Sequence, residues 1–497
     1  MARSYRPILF LLLGFSLFYW FGLTNHYLLL PDEARYAEIA REMLVHGNFV
    51  TPLVNNMIFF DKPAMYYWLT ALAIKIFGAT ELAARFFPAL IAIIGIISTF
   101  IFTRFITDTR TGILAALILG SAPLFWGAAH YSNMDLLVAM FVTLSLYCFW
   151  VGIHHTNKKI GILILYTSYI FSAIAILTKG ALGLAFPCMI IGLWMLFCKQ
   201  WRILLKMRLP TGLALVALIV FPWFYLVQKQ NPEFLHYFFV VQQWQRFLTS
   251  HFNNQEGVWF YPAIIFLGFL PWSIFIFTAV YQAFKKIKNK TNVIHAIPFL
   301  LIWFFSILIF FSIPHSKLLG YILPTFPPMA ILLAIHINAL WGKSPNVFSK
   351  IFISLFILTV LSETILITTL TKEMNKYSSK PIAEKIEPFL TKDTTIVTIY
   401  HNYNDINFYT GFPIYIFSNW DDPTIMQKDS WKTSYLYAAQ HRPDQAKYLL
   451  SSSKLQQLWN NHDPVIVIIE SKILYAFPYK TYHAIAKTDR FTALSNV

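Results

Sequence analysis

The sequence predicts a polytopic α-helical membrane protein that ends in a small α/β domain. Three observations carry this. The 497-residue chain is 57% hydrophobic and 18% aromatic, with only 12% charged residues, far above the apolar share of a soluble domain. Apolar runs of about 18 to 25 residues recur along it, long enough to cross a bilayer as helices. From about Thr371 the pattern changes to amphipathic and short β-branched segments.

The first run, "PILFLLLGFSLFYWFGLTNHYLLL", follows Arg3 and Arg6. It is too long for the apolar core of a signal peptide and has no small-residue cleavage site, so it reads as a retained span. Further spans are expected near 83–106, 111–129, 134–153, 160–178, 181–198, 211–228, 258–282, 293–313, 318–340 and 349–370, for a total of about 11 to 13. The loops "FITDTR", "HHTNKK", "CKQWRILLKMR", "KKIKNK" and "WGKSPNVFSK" follow every second span, are rich in Lys and Arg, and mark the cytoplasmic side. The formal charge of +16 is therefore topological, and nucleic acid is not an expected partner. Cys148, Cys188 and Cys198 lie in or beside apolar runs and read as small core residues.

This topology divides the chain into a transmembrane domain, 1–370, with extracytoplasmic loops 31–82 and 229–257, and a domain 371–497 outside. In the latter, "TTIVTIYHN", "GFPIYIFS" and "DPVIVIIES" read as strands. No internal repeat is visible, which argues against a repeat-built transporter.

Scarce charge is concentrated in the opening loop. After Pro31, "DEARYAEIAREML" reads as a helix with an acidic first turn, which suits the helix dipole. Arg35 and Tyr36 stand three and four positions past Asp32, so one face presents all three. Glu38 and Glu42 are expected to face water. In "FFDKPAMYYW", Asp61 and Lys62 sit among aromatics. Tyr66, Tyr67 and Trp68 read as an interfacial anchoring belt, and a cation at that depth can hold a lipid phosphate. Three corners on the same side add Asp135 ("HYSNMD"), Lys179 ("LTKGALG") and Lys317 with Tyr321 ("HSKLLGYILP"). These groups are expected to converge on one pocket. Arg246, in the amphipathic run "FLHYFFVVQQWQRFL", is a further phosphate candidate. His236 and His251 show no metal-ligand spacing.

A pocket of acids and cations outside the cytoplasm, in a chain without nucleotide-binding glycine motifs, suits a lipid-linked sugar donor. Its phosphate leaving group needs no general acid, only cations that stabilise departing charge. A carboxylate can serve as base for an acceptor hydroxyl.

These motifs resemble those of bacterial polyprenyl-phosphate-dependent glycosyltransferases. The likeness is greatest to the 4-amino-4-deoxy-L-arabinose transferases of lipid A, which are related to protein O-mannosyltransferases. It runs to about residue 340, with a weaker echo at "NDINFYTG". It implies the C-type glycosyltransferase fold with a periplasmic α/β domain, set in the bacterial inner membrane. It also implies a polyprenyl-phosphate sugar donor and lipid A or another glycolipid as acceptor. By position, Asp32 matches the first-loop acid, with Asp135 and Lys179 as second acid and pocket lysine. Arg35, Tyr36, Lys62, Arg246, Lys317 and Tyr321 fall at or beside the lipid phosphate. The resemblance also raises a divalent metal held by an acid and a histidine. Asp61 stands where the acid would, but the residues before Arg246 read "VVQQWQR", with no histidine.

Overall fold

The computed structural model describes residues 6–245, 254–288, 296–427, 430–461, 463–479 and 481–496. The chain begins with α1 (Arg6–Trp20), α2 (Asp32–His46), a two-stranded hairpin β1 (Leu53–Val54) and β2 (Met57–Ile58), and α3 (Met65–Phe77). The helical body follows: α4 (Glu81–Ile106), α5 (Thr109–Gly120), α6 (Pro123–Ala129), α7 (Asp135–His154), α8 (Lys158–Lys179), α9 (Leu182–Phe197) and α10 (Leu209–Gln230). A wide helical segment, His236–Gln245, precedes α11 (Phe260–Gly268), α12 (Ile276–Lys288), α13 (Ala296–Ser312), α14 (Phe326–Lys343) and the 31-residue α15 (Pro345–Asn375).

Two compact units emerge. The first comprises Met1–Leu23, Arg85–Leu226 and Asn254–Ile367; the second comprises Thr24–Ala84, Val227–Asn253 and Thr368–Val497.

The first unit is the membrane-spanning body. Among the described residues, six helices are long and apolar enough to cross a membrane, or up to eight if each of two bent pairs is one span. That is fewer than the 11 to 13 spans expected from apolar runs alone, and the difference has local causes. The run 111–129 is bent by 65° between α5 and α6. There Ala122 is extended (φ −82°, ψ 119°), as a residue before proline prefers. The run 258–282 is bent by 115° where Pro271 removes a backbone donor. α9 and α13 have only 16 and 17 residues, and α1 stops at Trp20.

α10 turns Leu218 and Phe221 outward, 71% and 63% exposed, as a lipid-facing helix does. Asp108 caps α5 through the amides of Arg110 and Thr111 at 2.9 and 3.0 Å. α7 and α8 approach closely at Gly152 and Gly161, where an added Cβ on Gly152 would lie 2.9 Å from the Gly161 carbonyl oxygen. Small residues of this kind let membrane helices pack backbone to backbone.

The second unit is built on a six-stranded sheet of order β5-β4-β3-β6-β8-β7. Its strands are β3 (Thr395–Ile399), β4 (Ile414–Phe417), β5 (Leu449–Leu450), β6 (Val465–Glu470), β7 (His483–Lys487) and β8 (Phe491–Ser495). The first four in that spatial order run parallel, and β8 and β7 are antiparallel. The β-branched runs that predicted strands form β3, β4 and β6, which are almost wholly buried. Val397, Val467, Leu450, Trp459 and Leu494 share one core.

The opening loop is part of this unit. Asn55 receives the Ile414 amide at 2.8 Å and donates to the Ile414 carbonyl at 2.7 Å, so its side chain extends the β4 ladder. Glu81 accepts from Lys380 at 2.8 Å and from the Tyr409 hydroxyl at 3.0 Å. Arg442 donates to the Gln230 carbonyl at 2.9 Å and to Asn231 at 2.7 Å.

Glu470, at the end of β6, accepts from Arg490 at 2.7 Å and forms an ion pair with Lys472 at 2.8 Å. Burial alone would raise its carboxyl, but the Lys472 and Arg490 hydrogen bonds bring it down from 4.5 to about 2. A lowered folded-state value stabilises above the unfolded value and is lost as pH falls toward the folded one. Thermal unfolding should therefore lose roughly 2 kcal/mol between about pH 4.5 and 2, after discounting for the solvated Lys472 side. Glu470→Gln should flatten the melting temperature over that window.

Candidate active site

Each unit carries one cluster of the residues singled out by sequence, and each cluster is described by itself. In the second unit α2 begins at Asp32 directly after Pro31, with Asp32 and Glu33 in its first turn, where their charge opposes the positive helix end. Glu33 folds back to accept the Leu29 amide at 2.9 Å. Arg35, one turn on, donates to Asp32 at 2.5 Å. Its guanidinium lies 5.2 Å from the Tyr36 ring and 5.3 Å from the Phe59 ring. Burial pulls this guanidinium's pKa down, but Tyr36, Asp32 and Asp61 more than offset it, so the net shift is upward. The cation is permanent.

Two buried donors here have no hydrogen-bond partner among the described residues: Arg35 Nε and the Tyr67 hydroxyl. A buried donor without a partner costs about 1 to 3 kcal/mol, more when charged, and such sites are where a ligand supplies the missing acceptor. Tyr36 is 5% exposed, and Tyr66 and Tyr67 are fully buried. Their rings lie 5.8 and 6.0 Å from that of Tyr36. This corrects the anchoring-belt reading of Tyr66 and Tyr67: α3 packs that face against α2, so the tyrosines line the Arg35 site and do not meet lipid. Trp68, from the same stretch, donates to the Phe49 carbonyl at 2.8 Å. Lys62 is half-buried in the loop before α3.

Asp61 accepts from the Tyr237 hydroxyl at 3.0 Å, and Tyr237 accepts from Gln242 at 3.0 Å. Among the described residues no group of three or more His, Cys, Asp or Glu side chains could hold a metal ion. Arg246 and His251 lie outside the described residues.

Glu38 and Glu42 also depart from expectation. Both are buried, at 0% and 3% exposure. Arg41 grips Glu38 with two bonds of 2.7 Å, and Glu42 accepts the Asn56 amide at 3.0 and 3.1 Å. Burial drives both carboxyls upward, Glu42 well above the ordinary range. The i,i+4 spacing that places them on one face was readable; that the hairpin β1–β2 covers that face was not.

In the first unit, Asp135 opens α7 and Lys179 closes α8. They form an ion pair with side chains only 11% and 10% exposed. The Lys179 ammonium stands 4.1 Å above the Tyr321 ring, a cation–π contact. Gly320 lies flush against Asp135, and an added Cβ would overlap the carboxylate. Glycine is what lets the "LLGY" corner reach the pair. The empty space beside Lys179, Gly320 and Tyr321 is about 10 Å³, at the lower limit for one water.

Lys317 has another task. Only 3% exposed, it donates to the Glu256 and Pro314 carbonyls at 2.8 and 2.5 Å. It tethers the segment after residue 254 to its own corner, leaving one donor of three uncommitted to those carbonyls.

A helical membrane body of apolar spans joined to a mixed-sheet unit defines the class: a polytopic membrane protein. The family model described as Dolichyl-phosphate-mannose-protein mannosyltransferase matches residues 8–238. Undecaprenyl phosphate-alpha-4-amino-4-deoxy-L-arabinose arabinosyl transferase 2 of Proteus mirabilis is 36% identical, covering 65% of this chain and 58% of its own length. Transferase 1 of that organism is 33% identical over 71% of this chain and 63% of its own. Over these stretches the chain is similar to the undecaprenyl-phosphate aminoarabinose transferases. It spans about 60% of the length of these curated relatives. In fold, it is similar to ArnT from Cupriavidus metallidurans bound to undecaprenyl phosphate, with a TM-score of 0.87 at 24% identity over 99% of this chain and 98% of that one. The archaeal oligosaccharyltransferase AglB of Archaeoglobus fulgidus is a remoter neighbour, with a TM-score of 0.54 at 12% identity over 94% of this chain and 69% of that one.

Proposed function

We propose that this chain is an integral-membrane glycosyltransferase of the bacterial inner membrane. It moves 4-amino-4-deoxy-L-arabinose from undecaprenyl phosphate to lipid A, with inversion at the anomeric carbon. The loops 31–82 and 229–257 and the domain 371–497 face the periplasm, and the helical body of the first unit is the membrane domain. The observation that carries the reading is the half-buried Arg35 guanidinium, whose enclosed Nε is open, as is the Tyr67 hydroxyl. A departing lipid phosphate supplies the acceptors these donors lack. The names of the similar transferases support the same donor.

In the reaction, an acceptor oxygen forms a bond to the anomeric carbon while the bond from that carbon to the phosphate oxygen breaks. Undecaprenyl phosphate departs with the electron pair, and Arg35, Lys62 and Tyr36 stabilise its growing charge. Arg246 is assigned to the same phosphate from sequence alone. An ionised lipid A phosphate needs no base, and Asp32 then steadies positive charge at the sugar ring. A hydroxyl acceptor would pass its proton to Asp32. Asp135 holds Lys179 in place over Tyr321.

The test is transfer of labelled aminoarabinose from synthetic undecaprenyl phosphate donor to lipid A, using the full-length chain in nanodiscs. Asp32→Asn should reduce turnover by about 10² to 10³-fold. Transfer that survives this change, or transfer only to core oligosaccharide or peptide, would overturn the site or the acceptor respectively. Transbilayer movement of the donor without transfer would favour a flippase.

A further inference from the structure

A second polar site lies in the first unit, at the end of the helical body where α12 and α14 finish and α13 begins. Gln282 and Lys286 of α12 and His336 and Lys343 of α14 surround a cavity of about 120 Å³. The spacing is helical on both sides. Ala279, Ala283 and Lys286 fall on one stripe of α12, and His336 and Lys343 on one stripe of α14. The alanines leave room where larger side chains would close the gap.

Lysines at helix ends are common, because they complement the helix dipole and the loop-charge rule. Neither rule explains an open cavity between the lysines, or a histidine one to two turns deeper. The charged groups that act on His336 are Lys286 and Lys343, both cations. Among the described residues neither lysine forms an ion pair. Two lysines facing one hollow repel each other unless an anion sits between them.

The remaining walls are apolar and include Ile297, Leu332 and Ile335. α12 turns Phe277 and Tyr281 outward, 76% and 63% exposed, as residues that meet acyl chains do. A free anion would gain nothing from these surfaces; an amphiphile would use both. We propose that this cavity binds the phosphate headgroup of an anionic phospholipid, with Lys286 and Lys343 as the charge partners and Gln282 and His336 as hydrogen-bonding groups. Basic hollows between membrane helices suit this role. The proposal rests on the membrane reading of α12 and α14 and is independent of the transferase reading.

The test uses delipidated full-length chain titrated with phosphatidylglycerol, phosphatidylcholine or inorganic phosphate and read by native mass spectrometry. The unmodified chain should retain phosphatidylglycerol, ignore phosphatidylcholine and resist displacement by millimolar phosphate. Lys286→Gln with Lys343→Gln should weaken phosphatidylglycerol binding about thirtyfold, the equivalent of two near-surface lysines. Lys285→Gln with Lys288→Gln, on the same helix but outside the cavity lining, should weaken it clearly less than the cavity pair does. Ala283→Leu, which fills the hollow without touching charge, should also abolish retention and serves if the lysine variant fails to fold. Equal losses in the two lysine variants would reduce the effect to diffuse charge and overturn the site. Inorganic phosphate that binds and displaces lipid would overturn the lipid assignment, and no phosphatidylglycerol retained by the unmodified chain would overturn both.

Discussion

Arg35→Ala is expected to lower transfer from the undecaprenyl phosphate donor by about 10² to 10³-fold, the loss associated with removing one oriented donor to developing charge. The size follows from the geometry. The guanidinium is held by Asp32 at 2.5 Å and lies beside the Tyr36 and Phe59 rings, so its fork is set before the donor arrives. Its buried Nε is still open, and a charge-assisted bond to a phosphate oxygen is about twice as strong as a neutral one. Because phosphate charge rises as the glycosidic bond breaks, the loss should fall mainly on kcat and less on KM. Arg35→Lys should recover no more than about a tenth of the activity, since an ammonium keeps the charge and loses the fork. Stability should change little, because Asp32 keeps 26% side-chain exposure and can be solvated. Arg41→Ala is the internal control. Arg41 is spent on Glu38, so its loss should lower the melting temperature and leave the pH-rate profile unmoved. Arg35→Ala with more than a tenth of normal transfer would remove this residue from the phosphate site.

Asp135→Ala is expected to have the largest effect on stability, a loss of about 3 kcal/mol or more, because it strands Lys179 as an unpaired, nearly buried cation. The partner cannot escape. Lys179 closes α8, its ammonium is pinned over Tyr321 at 4.1 Å, and the adjoining space is only about 10 Å³. Asp135→Asn with Lys179→Met should restore most of the loss, since replacing both partners leaves no orphaned charge. Thermal unfolding of the detergent-solubilised chain measures both. If the single and double variants are equally destabilised, the pair holds nothing together and the cost is one of packing alone.

Chemistry tied to local order was legible in the chain. The helix after Pro31, the Asp32–Arg35–Tyr36 face and the acidic first turn all follow from spacing along one segment. The strands β3, β4 and β6 announced themselves as β-branched runs. β5, β7 and β8 did not: β5 is two residues long, and "HAIAK" and "FTALS" mix small and polar residues whose strand character comes from pairing with neighbours. Helix breaks at Ala122–Pro123 and Leu270–Pro271 hid inside apolar runs, because hydropathy measures solvent preference and not direction.

What the sequence determined by itself was solvent and local geometry: an apolar chain of spans, an ionisable opening loop, and the family its motifs signal. What only the tertiary structure decided was which of those groups meet water and which meet each other. Tyr67 reads as an interfacial anchor and is instead a buried, open donor. Glu38 and Glu42 read as solvated and are enclosed, and Lys317, read as a phosphate candidate, gives two of its three donors to backbone carbonyls. The physical reason is common to all three. A side chain's type sets what it can donate or accept, but its burial and partners are supplied by segments distant in the chain, and no window of sequence contains them.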